Sequence, residues 1–126
     1  MEQFLYGKLF PQGAAGVIYL VDSSDNNRIE ESAEGLKQVL SLISEPVPLL
    51  IFANKSDLPN ALTKEHLIDQ MGLYAMTELS GRAWHVQTSC AAEGVGLHEG
   101  LVWFTKQLHQ RASGLFANCE LNTHKA

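Results

Sequence analysis

Residues 49–57 read Leu-Leu-Ile-Phe-Ala-Asn-Lys-Ser-Asp, an apolar run that turns polar at once. Pro46 and Pro48 separate this run from what precedes it, and its length and composition predict a β-strand at residues 49–53 that is buried on both faces. Strands buried on both faces belong to parallel sheets, which helices cover from either side. The polar residues therefore follow the carboxyl end of the strand, where open α/β sheets bind their ligands.

Similar segments lie on both sides of this strand in the sequence. Residues 16–22 (Gly-Val-Ile-Tyr-Leu-Val-Asp) form a second continuous apolar run and predict another strand covered on both faces. A third strand is predicted at residues 83–88. The loops that follow the three strands begin at Asp22, Asn54 and Ser89, and these loops are where a ligand is expected.

Between and after the strands, apolar residues recur at helical spacing. The first helix is predicted over residues 28–43, the second after Thr63, which can cap it, with Gly72 at its end, and the third after Gly96. The inward-facing residues are predicted to be Ile29, Ala33, Leu36, Leu40 and Ile43, then Leu67, Ile68 and Met71, then Leu97, Leu101, Phe104 and Leu108. The order β-α-β-α-β-α predicts an α/β fold in which right-handed crossovers place three parallel strands side by side.

The bulk composition fits one soluble globular domain. With 126 residues, 45% of them hydrophobic and 18% charged, the chain can build one core and does not have the composition of a disordered protein. We predict a folded domain over residues 1–112 and a flexible tail over residues 113–126. The net charge of -5 leaves no basic stripe for a nucleic-acid backbone, so nucleic acid is excluded as a partner.

Other classes of protein and site are excluded in a similar way. No apolar run reaches the length of a membrane-spanning helix, and neither a signal peptide nor a lipid anchor is predicted. The five histidines are scattered without metal-ligand spacing, so no metal site is predicted. Asp22 and Asp25 are interpreted as turn and helix-capping residues rather than as metal ligands. The two cysteines, Cys90 and Cys119, suit a reducing, cytoplasmic setting.

The polar loop at residues 54–57, Asn-Lys-Ser-Asp, resembles the Asn-Lys-x-Asp guanine motif of small GTPases. The carboxylate of Asp57 can accept two parallel hydrogen bonds, from the ring N–H and the exocyclic amine of guanine. Adenine cannot present that pair and would leave the carboxylate unpaired. The resemblance implies that the aliphatic stem of Lys55 lies along the base plane, and that the Asn54 amide links the base edge to neighbouring loops.

A second loop, Ser89-Cys90-Ala91, follows the third predicted strand and resembles the family's other base-contacting segment. The resemblance implies that the backbone N–H of Ala91 donates to the guanine carbonyl oxygen, and that its small side chain permits the close approach. Cys90 is interpreted as a small packing residue near the base rather than a nucleophile. Both loops are expected at the same edge of the sheet.

The wider sequence is similar to the Arf branch of the small GTPases. The similar stretches are Gly16 to Asp25 (GVIYLVDSSD), Phe52 to Leu62 (FANKSDLPNAL), Trp84 to Ala91 (WHVQTSCA) and Gly94 to Leu108 (GVGLHEGLVWFTKQL). The resemblance implies the Ras-like, doubly wound fold of P-loop NTPases, with GTP and GDP as ligands and the protein partners of Arf-like GTPases. It also implies a role in vesicle traffic and a cytoplasmic location at the periphery of Golgi or endosomal membranes. The guanine-binding residues that it implies are Asn54, Lys55, Asp57, Ser89, Cys90 and Ala91.

Part of the family's pattern has no counterpart in these 126 residues. No Gly-x-x-x-x-Gly-Lys-[Ser/Thr] phosphate loop occurs, and residues 5–10 resemble the end of the family's switch II helix. The resemblance therefore implies that the sequence corresponds to the C-terminal part of an Arf-type GTPase. Without the phosphate-binding and magnesium-linked motifs, we expect weak binding of GTP and GDP, no magnesium site and no catalytic residue. We also expect no GTP hydrolysis by this chain alone.

Other functions stay open at this point. The chain can be a non-catalytic interaction module that keeps the partial fold without useful nucleotide affinity. A flavodoxin-like or dinucleotide-binding domain is disfavoured, because no Gly-x-Gly-x-x-Gly follows a strand. If residues 16–22 have lost the strand that neighbours them in the full family fold, their apolar edge is exposed, and we predict self-association through it.

Overall fold

The computed structural model describes residues 15–43, 45–90 and 92–125, and the side chains of the last helix as far as Arg111. Three parallel strands form one sheet in the order β1 (Val17–Asp22), β2 (Leu49–Asn54) and β3 (Trp84–Thr88). The helices are α1 (Ile29–Ser41), α2 (Lys64–Met71) and α3 (Leu97–Lys125), with single 3₁₀ turns at Asn26–Arg28, Leu73–Ala75 and Thr77–Leu79. The predicted three-stranded parallel sheet with flanking helices is confirmed.

The strands are in register, so that their carboxyl ends meet at one edge. Asp22, the last residue of β1, pairs with Asn54, the last residue of β2. Ala53 of β2 pairs with Thr88 at the end of β3. The loops that follow the three strands therefore leave the sheet side by side.

One face of the sheet carries the larger core, which α1 and α2 cover. Apolar residues at alternate positions of each strand point to this face, and the two helices contribute their apolar stripes. Its fully buried members include Val21, Leu49, Ile51 and Val86 from the sheet, with Leu36, Leu40 and Leu67 from the helices. The Tyr19 hydroxyl donates to the carbonyl oxygen of Ser32 at 2.8 Å, which ties β1 to α1.

The opposite face of the sheet packs against α3 through a smaller core. Leu50 and Phe52 of β2 contact Phe104 of α3, and all three are buried. The close approach depends on Gly100, because a Cβ atom there would lie 2.6 Å from the Phe52 ring. α3 is thereby held over β2 and β3, and Trp103 stacks on His85 of β3 with ring centroids 5.1 Å apart.

β1 departs from the prediction that helices cover it on both faces. Ile18 is 41% exposed and Leu20 is 59% exposed, on the face that carries Leu50 and Phe52 in the neighbouring strand. The predicted inward position of Leu101 is also wrong, since 45% of that residue is exposed. The reason is the placement of α3, which covers β2 and β3 and reaches the β1 side through Phe104 and Leu108 only beside Gly16, the residue before the strand, among the described residues.

The helix ends follow the predicted signals with small shifts. The side-chain oxygen of Thr63 accepts a hydrogen bond from the His66 N–H at 3.2 Å and caps α2, and Gly72 ends that helix with a left-handed φ of 66°. Ile43 lies beyond the end of α1 but is buried as predicted. The backbone of α3 is helical to Lys125, and the division into a domain and a flexible tail stays a prediction. Among the described residues, no helix is both long and apolar enough to cross a bilayer.

Candidate functional site

Hydrogen bonds join the three loops at the carboxyl edge of the sheet. The backbone N–H of Ser23 donates to the carbonyl oxygen of Asn54 at 3.0 Å, which joins the first loop to the second. The backbone N–H and the hydroxyl of Ser56 both donate to the carbonyl oxygen of Ser89, at 3.0 and 2.9 Å, which joins the second loop to the third. The predicted site residues of the second and third loops are therefore neighbours.

Two fully buried serines, Ser23 and Ser89, connect the three loops on the inner side of this site. The Ser23 hydroxyl donates to the Asn54 carbonyl oxygen at 2.5 Å, and the Ser89 hydroxyl makes a long contact of 3.5 Å with the side-chain oxygen of Asn54. Asn54 thus joins the loops on either side of it, while its contact with a base stays a prediction. Ser23 was not among the predicted site residues. Its only signal was a small hydroxyl residue directly after an apolar strand.

Lys55 has an unusual backbone conformation and a fixed side chain. Its φ of 59° is in the left-handed region, and it is the one non-glycine residue there in the part of the chain that the structure describes. Its ammonium Nζ lies 3.0 Å from Oδ2 of Asp22 in the loop after β1. The side chain therefore runs from the β2 loop towards the β1 loop, along the edge of the sheet.

Asp22 has a larger role than the turn that was predicted for it. Its Oδ1 accepts hydrogen bonds from the backbone N–H and the hydroxyl of Ser24, at 3.0 and 2.6 Å, so it does form a turn. Its Oδ2 accepts from Lys55, a contact that the sequence did not suggest. Asp25 begins the following 3₁₀ turn without a side-chain capping bond, so its predicted capping role is wrong; instead it faces Arg28 at 3.6 Å.

The hydrogen bonds of Asp22 also set its protonation. Partial burial of the carboxyl group would raise its pKa, but the hydrogen bonds from Ser24 and Lys55 and the charge of Lys55 outweigh that effect. The pKa of Asp22 is therefore held below its ordinary value. At neutral pH the carboxylate is ionised and attracts the Lys55 ammonium.

Asp57 and Cys90 come together at the rim of the same site. Ligand atoms of Asp57, Cys90 and Glu93 all lie within 4.8 Å of one another, with both carboxylates exposed and the thiol buried. A hydrogen bond with the Glu93 backbone lowers the pKa of the Cys90 thiol, but burial and the charges of Asp57 and Glu93 outweigh it and raise that pKa. The thiol is therefore protonated at neutral pH, in agreement with its interpretation as a packing residue. Two carboxylates and a thiol could also receive a cation, which would compete with any ligand of Asp57.

The remaining predicted residue, Ala91, lies outside the described residues, as do residues 5–10. The structure does show how the third loop is shaped before and after Ala91. Cys90 and Val95 form an antiparallel bridge, in which the N–H of Cys90 donates to the Val95 carbonyl oxygen at 2.9 Å. The loop thus folds back on itself directly beside Asp57.

A cavity of about 300 Å³ lies away from this site, near the amino end of β3. Its lining includes Leu73, Tyr74, Met76 and Trp84, and Tyr74 meets Trp84 edge to face with ring centroids 5.5 Å apart. Among the described residues that line it, Tyr74 has the only titratable side chain. None of the predicted site residues that the structure describes lines this cavity, which makes the loop edge the better candidate.

A parallel sheet between helices, with an Asn-Lys-x-Asp loop and a Ser-Cys loop side by side at its carboxyl edge, matches part of the Ras-like small-GTPase fold. Residues 6–108 match the sequence model of the ADP-ribosylation factor family, and the chain belongs to that family. A similar solved structure is the Arl6 (BBS3) small GTPase from Trypanosoma brucei with the bound nucleotide analogue GppNp. It shares 27% sequence identity with a TM-score of 0.77, over 86% of this chain and 66% of that one. The chain thus spans about two thirds of that relative's length.

Proposed function

We propose that this chain binds guanine nucleotides, GTP and GDP, chiefly through the base. The observation that carries the proposal is the proximity of Asp57 to the loop after β3: its carboxylate lies within 4.8 Å of the Cys90 thiol, and Ser56 joins the two loops through two hydrogen bonds to Ser89. An exposed carboxylate at this rim can accept the ring N–H and the amine of guanine together. The Trypanosoma relative, whose structure contains a bound nucleotide analogue, has the same fold and supports this assignment.

The other loop residues have complementary parts in this proposal. The stem of Lys55 offers an apolar surface to one face of the base. Asn54, which the buried hydroxyls of Ser23 and Ser89 contact, keeps the loop in place beneath the base. The backbone N–H of Ala91 donates to the guanine carbonyl oxygen. Cys90, which is buried and protonated, fills the space beside Asp57 without adding a charge.

We expect the affinity of these 126 residues for nucleotide to be weak and independent of magnesium. The sequence contains no Gly-x-x-x-x-Gly-Lys-[Ser/Thr] motif to cradle the β- and γ-phosphates, so the base supplies most of the binding free energy. GTP hydrolysis depends on phosphate positioning and charge stabilisation, and we do not expect it from this chain alone. A submicromolar, GTP-competable signal with a fluorescent GDP analogue would contradict this expectation.

The test of base recognition is a titration of the ¹⁵N-labelled chain with GMP, AMP and xanthosine monophosphate, followed by NMR. We expect shifts at the loop residues with GMP and much smaller ones with AMP. In the Asp57→Asn variant, the amide can donate to the second carbonyl of xanthine, so the preference should move from GMP to xanthosine monophosphate.

The matched control for this experiment is Asp69→Asn, which makes the same change at an exposed position of α2. It should bind GMP as the unchanged chain does. Equal shifts with GMP and AMP in the unchanged chain, or a GMP preference that survives Asp57→Asn, would overturn the proposal.

A second candidate function, as an interaction module, is favoured by an exposed apolar patch formed by Ile18, Leu20 and Leu101. Leu101 lies on the flank of α3 opposite Trp103, which stacks on β3, and so it faces the β1 side of the sheet. Exposed apolar surface of this kind favours association, and we propose that a second copy of this chain covers it through the same patch.

Family membership also suggests a setting for the protein. We propose that it acts in vesicle traffic, with protein partners of Arf-like GTPases, at the cytoplasmic periphery of Golgi or endosomal membranes. Fractionation of cells that express a tagged full-length chain tests the location. Recovery in fractions without Golgi or endosomal membranes would contradict it.

A further inference from the structure

We infer that Asp22 is a positioning residue. It fixes the Lys55 side chain, before the nucleotide binds, in the position where the aliphatic stem of Lys55 contacts the face of the base. This inference rests on the proposed function. Asp22 does not touch the nucleotide in this arrangement. It acts through Lys55, from the loop after a different strand.

The first step is the fixed orientation of the Asp22 carboxylate. Oδ1 receives two hydrogen bonds from Ser24, one from the backbone at 3.0 Å and one from the hydroxyl at 2.6 Å. These two bonds define the plane of the carboxylate. Its other oxygen, Oδ2, is then presented to the Lys55 ammonium at 3.0 Å.

The second step is that Lys55 is held at both ends. Its backbone is fixed in the left-handed region, and its carbonyl oxygen accepts from the Leu58 N–H at 3.2 Å. Asp22 pairs with Asn54 in the sheet, and Asn54 directly precedes Lys55. The carboxylate therefore lies on the adjacent strand, at the level of the residue before Lys55. The four-carbon stem between these anchors lies over the carboxyl edge of the sheet, although 55% of the side chain is exposed.

The third step is the consequence for a ligand. A free lysine side chain populates many rotamers and loses that freedom when a base settles on it, which costs affinity. Asp22 makes this selection before the ligand arrives. Loss of Asp22 should therefore weaken binding by about 2- to 10-fold. Because the stem contacts the face of the ring and not its edge, the loss should be the same for every purine that binds.

The experiment measures dissociation constants for GMP and IMP by NMR titration of the full chain. IMP lacks the exocyclic amine, so the GMP/IMP affinity ratio reports the Asp57 contact separately from the stacking contact. We expect Asp22→Asn to weaken both nucleotides by the same factor and to leave their ratio unchanged. The matched control is Asp25→Asn, which makes the same change in the same loop at a carboxylate that faces Arg28 at 3.6 Å instead of Lys55.

A double-mutant cycle separates positioning from a general structural effect. In a Lys55→Met background the ammonium is gone while an unbranched apolar stem remains, so adding Asp22→Asn should cause no further loss. A further loss in that background, or a fall in the GMP/IMP ratio, would show that Asp22 supports the loops in general and would overturn the inference.

The same titrations distinguish this inference from the proposed function. A preference for GMP over AMP that depends on Asp57, together with an Asp22→Asn variant that binds as tightly as Asp25→Asn, would overturn only the positioning role. A chain that shows no preference for GMP over AMP would overturn both.

Discussion

Ser56 gives both its backbone N–H and its hydroxyl to one acceptor, the carbonyl oxygen of Ser89, at 3.0 and 2.9 Å. This pair of bonds connects the loop that carries Asp57 to the loop that carries Cys90, across 33 positions of sequence. The x position of the Asn-Lys-x-Asp pattern is therefore not a neutral spacer in this chain. It connects two loops through hydrogen bonds.

Replacement of Ser56 by alanine should weaken this connection between the two loops without removing it. The hydroxyl bond is lost and the backbone bond remains, so we expect a loss of about 0.5–1.5 kcal/mol in the free energy of unfolding. GMP binding should weaken as well, because Asp57 is less well placed. Ser41→Ala is the control, since it also removes a hydroxyl bond to a carbonyl oxygen, at 2.8 Å, but far from the site. Urea unfolding and GMP titration provide the two measurements, and equal binding by both variants would contradict the prediction.

Gly96 should tolerate no side chain. Its φ is 83°, and a Cβ atom would lie 2.1 Å from the carbonyl oxygen of Thr88, a backbone atom that cannot rotate away. We expect Gly96→Ala to destabilise the chain by about 2–4 kcal/mol, as overpacking and backbone strain combine.

Gly94 provides the comparison within the same loop. Its φ of 74° is similar, but nothing lies within 4 Å of a Cβ atom placed there. Gly94→Ala should therefore cost only about 1 kcal/mol, the conformational penalty alone. Urea unfolding of the two variants measures the difference, and similar losses would show that the Thr88 contact does not matter.

The ion pair of Asp22 should make stability depend on acid pH. Its pKa is lower in the folded chain than in the unfolded one, so the stabilisation is complete above the ordinary carboxyl pKa of about 3.9 and is lost as the pH falls below it. Because both side chains are partly exposed, we expect Asp22→Asn to cost only about 0.2–1 kcal/mol at pH 7. Thermal or urea unfolding measured from pH 7 to pH 3 should show that the stabilities of the unchanged chain and of Asp22→Asn converge. A constant difference across that range would contradict the prediction.

The apolar patch of Ile18, Leu20 and Leu101 should govern self-association. Leu20→Lys introduces a charge at its centre, and we expect the concentration-dependent dimer in sedimentation experiments to be lost. Val102→Lys is a matched control, because Val102 is similarly exposed but lies on the outer side of α3, two residues before the buried Phe104. A monomeric unchanged chain, or equal loss of association in both variants, would argue against the patch as the interface.

The sheet could be predicted from the sequence because each strand has its own local signal. An apolar run that ends in small polar residues is enough to place Val17–Asp22 and Leu49–Asn54 within a residue of their observed ends, and Trp84–Thr88, in which apolar and polar residues alternate, was predicted to the same accuracy. The cap at Thr63 and the stop at Gly72 were predictable for the same reason, since each acts within one turn of helix. Parallel order then placed the Asn54 and Ser89 loops at one edge.

The remaining features depend on contacts that have no local signal. The Asp22 carboxylate contacts the Lys55 ammonium only because β1 and β2 are adjacent and in register. No local pattern around either residue predicts that register. The exposure of Leu20 and Leu101 was missed because an apolar run predicts burial without saying which neighbour provides it. The full burial of Ser23 likewise follows from packing beneath Asn54, not from its residue type.

The parallel pairing of the strands also has a kinetic cost. Val17 pairs with Leu49, and Leu49 with Trp84, so every rung of the ladder joins residues more than thirty positions apart. No two of the described strands form a hairpin that could act as an early template, and each strand pair requires the closure of a long loop before its first rung is made. We therefore expect refolding to be slow for a protein of this size, with apolar strands that stay open to capture by chaperones until the last crossover is complete.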